Sequence, residues 1–150
     1  MNRRNALTML GGIAVTLVPL TALGAESDVA AAIKARFGER STRQGRITLK
    51  LPKLAESGNS VPITASVDSP MSQTDRVVRL GIFANGNPRP LIATAAFGVH
   101  AGSATFTTNV RLNGTQDVIA VAEMNDGSLW RTQARILVTV GACDAMQTRF

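Results

Sequence analysis

The ending TVGACDAMQTRF, Thr139 to Phe150, holds Cys143, the only cysteine of the 150-residue chain. Its thiol is the strongest nucleophile the sequence offers. A cysteine enzyme needs a base within hydrogen-bond reach, ordinarily histidine, held by a third group. The only histidine, His100, lies in the loop-like stretch GVHAGS. Past Val140, the segment GACDAMQTRF shows no apolar periodicity, so Cys143 is expected on a terminal arm outside the core, with Gly141 as its swivel. Such an arm cannot be held against His100 with catalytic precision, and His100 reads as an ordinary loop residue. Metal chemistry lacks a donor set: no CxxC, HxxxH or carboxylate cluster supplies three or four ligands. Glu123 and Asp126 read as solvated-face and turn residues. No catalytic residue, metal or cofactor is therefore expected. The role that remains is a covalent handle, whose adduct other proteins' active sites would work on. A thiol of pKa about 8.5 is only a few per cent thiolate at neutral pH, which suffices when an enzyme completes the activation.

The beginning of the chain indicates a compartment. MNRRNALTMLGGIAVTLVPLTALGA joins Arg3 and Arg4 to an uncharged apolar run, Leu7 to Leu23, and ends in small residues up to Ala25. That pattern predicts an export signal over residues 1–25, with the paired arginines favouring the twin-arginine route into a bacterial periplasm. Its removal would leave no membrane segment. A lone cysteine in an oxidising compartment points to intermolecular pairing or to a thiol with a task. One alternative is thus an interaction module whose Cys143 forms an intermolecular disulfide. The net charge is +6, and without Arg3 and Arg4 it is +4, from 14 basic and 10 acidic residues. The sole basic cluster, Arg36, Arg40, Arg43 and Arg46, is broken by Glu39. With few aromatics and no basic stripe, nucleic acid is excluded as a partner.

The elements that must position the thiol are mostly strands. SDVAAAIKARFG, Ser27 to Gly38, predicts a short helix with Ser27 or Asp28 as cap, Val29, Ile33 and Phe37 on one stripe, and Gly38 as stop. Period-two runs follow at RITLKL, VPITASV, VVRLGIFA, LIATAAFGV, SATFTTNVRL, DVIAVAEM and SLWRTQARILVTV. AESGNS reads as a loop. Asp126-Gly127, between the last two runs, signals a hairpin. About seven strands with turns between them predict an all-β, immunoglobulin-like antiparallel sandwich, carrying a short N-terminal helix and a flexible C-terminal arm. The expected divisions are an export signal at 1–25, a sandwich domain at 26–140 and an arm at 141–150. In the last strand, Trp130, Thr132, Ala134, Ile136, Val138 and Val140 share one face, with Val140 as the last core residue. Leu129 and Leu137 lie on the other, largely polar face and are candidates for partner contact.

GRITLKLPKLAESGNSVPITASVDSPM, IFANGNPRP, VIAVAEMNDGSLW and the terminal VTVGAC together resemble the SoxY family, the carrier subunits of bacterial sulfur oxidation. The resemblance implies an immunoglobulin-like fold and a second β-sandwich subunit, SoxZ, as partner. It implies Cys143 as the attachment point for thiosulfate-derived sulfur, with Gly141 and Ala142 as the arm's swivel. It further implies transient visits to SoxAX, which loads the cysteine, to SoxB, which removes sulfate, and in many organisms to a sulfane dehydrogenase. The arm departs from the family's Gly-Gly-Cys-Gly ending: Gly141-Ala142-Cys143-Asp144 is followed by six more residues. Asp144 places a negative charge beside the thiol, which raises the thiol pKa and repels anionic adducts. The departure fits a divergent paralogue with altered partners.

Overall fold

The computed structural model describes residues 20–141, with side chains from Asp28 onward. Most of the expected export segment and the arm from Ala142 onward lie outside these residues. The elements, in chain order, are α1 (Leu20–Phe37), β1 (Thr42–Gln44), β2 (Ile47–Lys50), β3 (Leu54–Ser57), β4 (Val61–Val67), β5 (Val77–Ala84), β6 (Leu91–Ala96), β7 (Ala104–Val110), β8 (Gln116–Met124) and β9 (Leu129–Val140). Among the described residues no helix is long and apolar enough to cross a membrane.

Two sheets face each other. A six-stranded sheet runs β1-β9-β8-β5-β6, with β3 also paired to β9, and a three-stranded sheet runs β2-β4-β7. The alternation in β4 is clean: Val61, Ile63, Ala65 and Val67 point inward. They meet Leu80, Ile82, Val118, Ala120, Ile136 and Val138 from the larger sheet in one core. The outer face of that larger sheet carries a second cluster, where Val29, Ile33 and Phe37 of α1 cover Phe83, Ile119, Val121 and Leu129. Each such side chain contributes about 1.5–3 kcal/mol on burial. β5 and β8 are buried on both faces, which is why VVRLGIFA and DVIAVAEM read as nearly continuous apolar runs. Gly81 permits the close approach of α1, since a Cβ there would stand 2.9 Å from Phe83 and 3.1 Å from Phe37.

The β8–β9 hairpin forms as expected, with Glu123 opposite Leu129 and Gly127 at φ 83° in the turn. Gly38, at φ 86°, donates its amide to the Lys34 carbonyl and ends α1, also as expected. Several expectations need correction. The helix begins at Leu20 and runs through Ser27 and Asp28, so neither caps it. Nine strands are present among the described residues rather than about seven. β1 and β3, the second inside the expected AESGNS loop, are short and largely exposed, and attach to β9 through parallel backbone ladders that leave no side-chain period. Leu129 is buried under α1 and is not available to a partner, whereas Leu137 is 52% exposed. The last buried residue of the inward face is Val138; Val140 is 43% exposed.

Glu123 is likewise no solvated residue. It is 9% exposed, accepts from Arg79 Nε at 2.5 Å and from Arg40 Nη2 at 2.7 Å, and thereby fastens the C-terminal end of α1 to β8. Arg40 also donates to the Phe37 carbonyl and to the Gly127 carbonyl, and Arg79 stacks over the Phe37 ring. The basic cluster is thus dispersed: Arg40 goes to Glu123, Arg46 to Asp75, and the guanidiniums of Arg43 and Arg46 lie over the Trp130 ring, 5.9 and 5.6 Å from its centre. The Arg79 hydrogen bond holds the Glu123 carboxyl below its ordinary value of 4.5, against the opposing effect of burial. A depressed folded value means that this stabilisation is complete above pH 4.5 and is lost as pH falls through the folded value. Glu123→Gln is expected to cost about 2–3 kcal/mol in urea unfolding at pH 7, because two guanidiniums lose their counter-charge. The gap between variant and parent should close as the pH is lowered below 4.5.

Candidate functional site

The end of β9, from which the cysteine segment departs, is held on both edges. On one edge β3 pairs in parallel, with Leu54 opposite Leu137, Ala55 opposite Val138 and Ser57 opposite Val140. Leu137 N donates to the Lys53 carbonyl at 2.9 Å, and Gly58 N to the Val140 carbonyl at 2.8 Å. On the other edge, Thr115 continues the clamp where β8 has not yet begun. Its hydroxyl accepts from Val138 N at 3.0 Å and donates to the Val138 carbonyl at 3.4 Å. Gly58 also links this end to the loop after β7, because its carbonyl accepts from Leu112 N at 2.8 Å. The Leu137 amide, both backbone polar groups of Val138 and the Val140 carbonyl are thus each paired at the exit.

Neighbouring loops are joined by two amide side chains. Gln116, 3% exposed, accepts from Gly86 N at 2.8 Å and donates to Asn87 Oδ1 and the Gly114 carbonyl. Asn87 in turn accepts from Asn113 N and donates to the Arg111 carbonyl, both at 2.8 Å. The loops 85–90 and 111–115 are thus joined into one rim beside the exit. Each group of Gln116 is paired, as a buried amide requires. Nothing in the sequence marked Gln116; a polar residue opening an otherwise apolar strand was the only signal.

Of the residues singled out from the sequence, Gly141 is buried directly after the clamped Val140. Ala142 and Cys143 lie outside the described residues. Three Cα steps of about 3.8 Å keep Cys143 within about 11 Å of Val140. His100 belongs to the other end of the sandwich. It follows β6, whose Ala96 lies opposite Arg79 near the start of β5, while the end of β5, Ala84, lies opposite Val118 near the exit. At about 3.3 Å per residue, roughly 20 Å of strand separates His100 from this rim, beyond the reach of the tether. Asp126 accepts from Ser128 N and Oγ, as a turn residue. Among the described residues no group of three or more His, Cys, Asp or Glu could hold a metal ion.

The family model described as "Sulfur oxidation protein SoxY" matches residues 33–143, a span that ends on the cysteine. Among solved structures, the sulfur carrier protein SoxY from Chlorobium limicola is similar with a TM-score of 0.69 and 23% identity, over 79% of this chain and 98% of that one. A putative superoxide reductase from Thermotoga maritima is similar at 0.58 and 19%, over 65% and 93%. The superoxide reductase of Ignicoccus hospitalis follows at 0.56 and 16%, over 63% and 80%. At these identities the likenesses are of fold. No curated protein sequence matches the chain. For the exit itself, Thr115→Val is expected to cost about 1–2 kcal/mol, by leaving the Val138 amide unpaired. Amide hydrogen exchange should then accelerate at Val138 and Gly58, with β4 and β5 unchanged.

Proposed function

Because the chain belongs to the SoxY family of sulfur oxidation proteins, we propose that it is a non-catalytic carrier that binds thiosulfate-derived sulfur covalently on Cys143. The observation that carries this reading is the fixed exit. β9 is clamped to Val140, and the family match continues three residues further, to the only cysteine. A rigid body then presents a thiol at the end of a short tether, with Gly141 and Ala142 as the swivel. The location of His100 near the opposite end leaves Cys143 without a histidine base of its own chain, so activation falls to the enzymes visited.

The carrier acts in the periplasm, reached by the twin-arginine signal of residues 1–25. Its partner subunit is a SoxZ-like β-sandwich. SoxAX joins the sulfur to Cys143, SoxB hydrolyses off sulfate, and a sulfane dehydrogenase oxidises what remains. The exposed pair Leu54 and Leu137, adjacent across the β3–β9 ladder, supports a contact surface beside the exit. Incubation with thiosulfate, oxidised SoxAX and the SoxZ-like subunit should add sulfur-containing mass to the peptide holding Cys143, read by mass spectrometry. Cys143→Ser should gain none. An unmodified Cys143 peptide, under conditions in which an authentic SoxYZ is loaded, would remove the proposal.

A further inference from the structure

At the exit end of the sandwich, an open groove of about 470 Å³ lies between the 85–90 loop and the end of β7, lined by Asn87, Arg89, Ile92, Asn109 and Arg111 among others. It contains two guanidiniums and no carboxylate. Both arginines are exposed, and among the described residues neither side chain makes a hydrogen bond or an ion pair. Arg40, Arg46, Arg79 and Arg135 have carboxylate partners, whereas Arg36, Arg43, Arg76 and Arg131, like Arg89 and Arg111, have none among the described residues. What sets Arg89 and Arg111 apart is that they share one groove whose lining holds no carboxylate. The groove is also built stiffly. Arg89 stands between Pro88 and Pro90, whose rings fix the backbone on either side. The Arg111 carbonyl is held by Asn87, which the buried Gln116 holds in turn.

Its distance from the exit follows from the hydrogen bonds. Leu112 N reaches Gly58 O, and Gly58 N reaches Val140 O, each at 2.8 Å. With the width of one residue between them, Leu112 N stands within about 10 Å of the Val140 carbonyl. Three peptide units limit Cys143 to about 11 Å from Val140, and the Arg111 side chain extends from the residue next to Leu112. That span covers the distance to the backbone beside Arg111. Asp144 would repel an anionic group on Cys143, and two unpaired arginines supply the opposite charge.

We propose that Arg89 and Arg111 form an oxyanion cradle that receives the terminal sulfonate of a group carried on, or approaching, Cys143. This rests on the carrier reading and adds a ligand class and a site to it. A sulfonate presents three acceptor oxygens, which two guanidinium forks can engage with charge-assisted bonds. Because the groove is open, the attraction is screened by salt.

The test compares an anionic and a neutral thiol reagent on the whole chain. Tetrathionate is a dianion: the Cys143 thiolate attacks one of its inner sulfurs, the central S–S bond breaks, and thiosulfate leaves with the electron pair. A cysteine S-thiosulfonate remains, and tetrathionate is the oxidant. Methyl methanethiosulfonate reacts at the same sulfur without charge. In the double variant Arg89→Gln, Arg111→Gln, the tetrathionate rate at low ionic strength should fall about tenfold, while the neutral reagent reacts as before. High salt should erase the difference. Arg135→Gln, which removes a charge paired with Asp117 elsewhere on the sheet, should change neither rate. An unchanged tetrathionate rate in the double variant, an equal fall for both reagents, or the same fall in Arg135→Gln would overturn the cradle. A cradle that passes while SoxAX fails to load Cys143 would leave the charge effect standing and remove the carrier reading, so the two failures are distinct.

Discussion

The parallel ladder between β3 and β9 is the constraint on which the rest of the exit depends. Leu54 to Ser57 bury little, and their side chains contribute little to the core. What they supply is a row of backbone partners beside the last turn of chain before Gly141. Without that row, β9 would run four residues past its last pairing with β8, which ends at Gln116 opposite Ile136. A strand end with unpaired amides frays, and its direction is then undefined. With Gly58 and Thr115 closing the two edges, the point and direction at which the chain leaves the sandwich are set to the precision of the core.

The two clusters divide the work. The inter-sheet core holds the sandwich together, while α1 covers the half of the larger sheet farther from the exit. Its attachment is partly apolar and partly ionic, through Glu123 and its two arginines. Among the described residues nothing covers the half of that face nearer the exit, where Arg135, Asp117, Leu137 and Leu54 lie. Among the described residues the helix thus closes one end of this face and not the other. The open groove at Arg89 and Arg111 lies at the uncovered end, so charged and apolar surfaces both occur at the end that holds Val140.

Much of this was legible in the residues. Alternation located seven strands, and Asp126-Gly127 located the β8–β9 hairpin, because both signals are local. The stripe Val29, Ile33, Phe37 identified the buried side of α1. The misses share a cause, which is distance along the chain. β1 and β3 exist only because β9 offers them an edge, so their own residues show no period. Leu129 looked like part of a polar face, since nothing in its neighbours announces a helix from a hundred residues earlier. Glu123 looked solvated because Arg40 and Arg79 are 83 and 44 positions away. Cys143 itself could be singled out because it is alone; the clamp that places its tether could not.

The arrangement at the exit also has a mechanical side. In the carrier role proposed above, an enzyme that gripped the cysteine and withdrew in line with the last strand would pull along the axis of β9. Force in that direction loads the ladders to β8 and β3 lengthwise, so their bonds must yield together rather than peel off one after another. A terminal strand held on one edge only would meet the same axial pull with fewer bonds. Flanking it on both sides shares such a pull between two ladders, so the sandwich would resist being loosened by it.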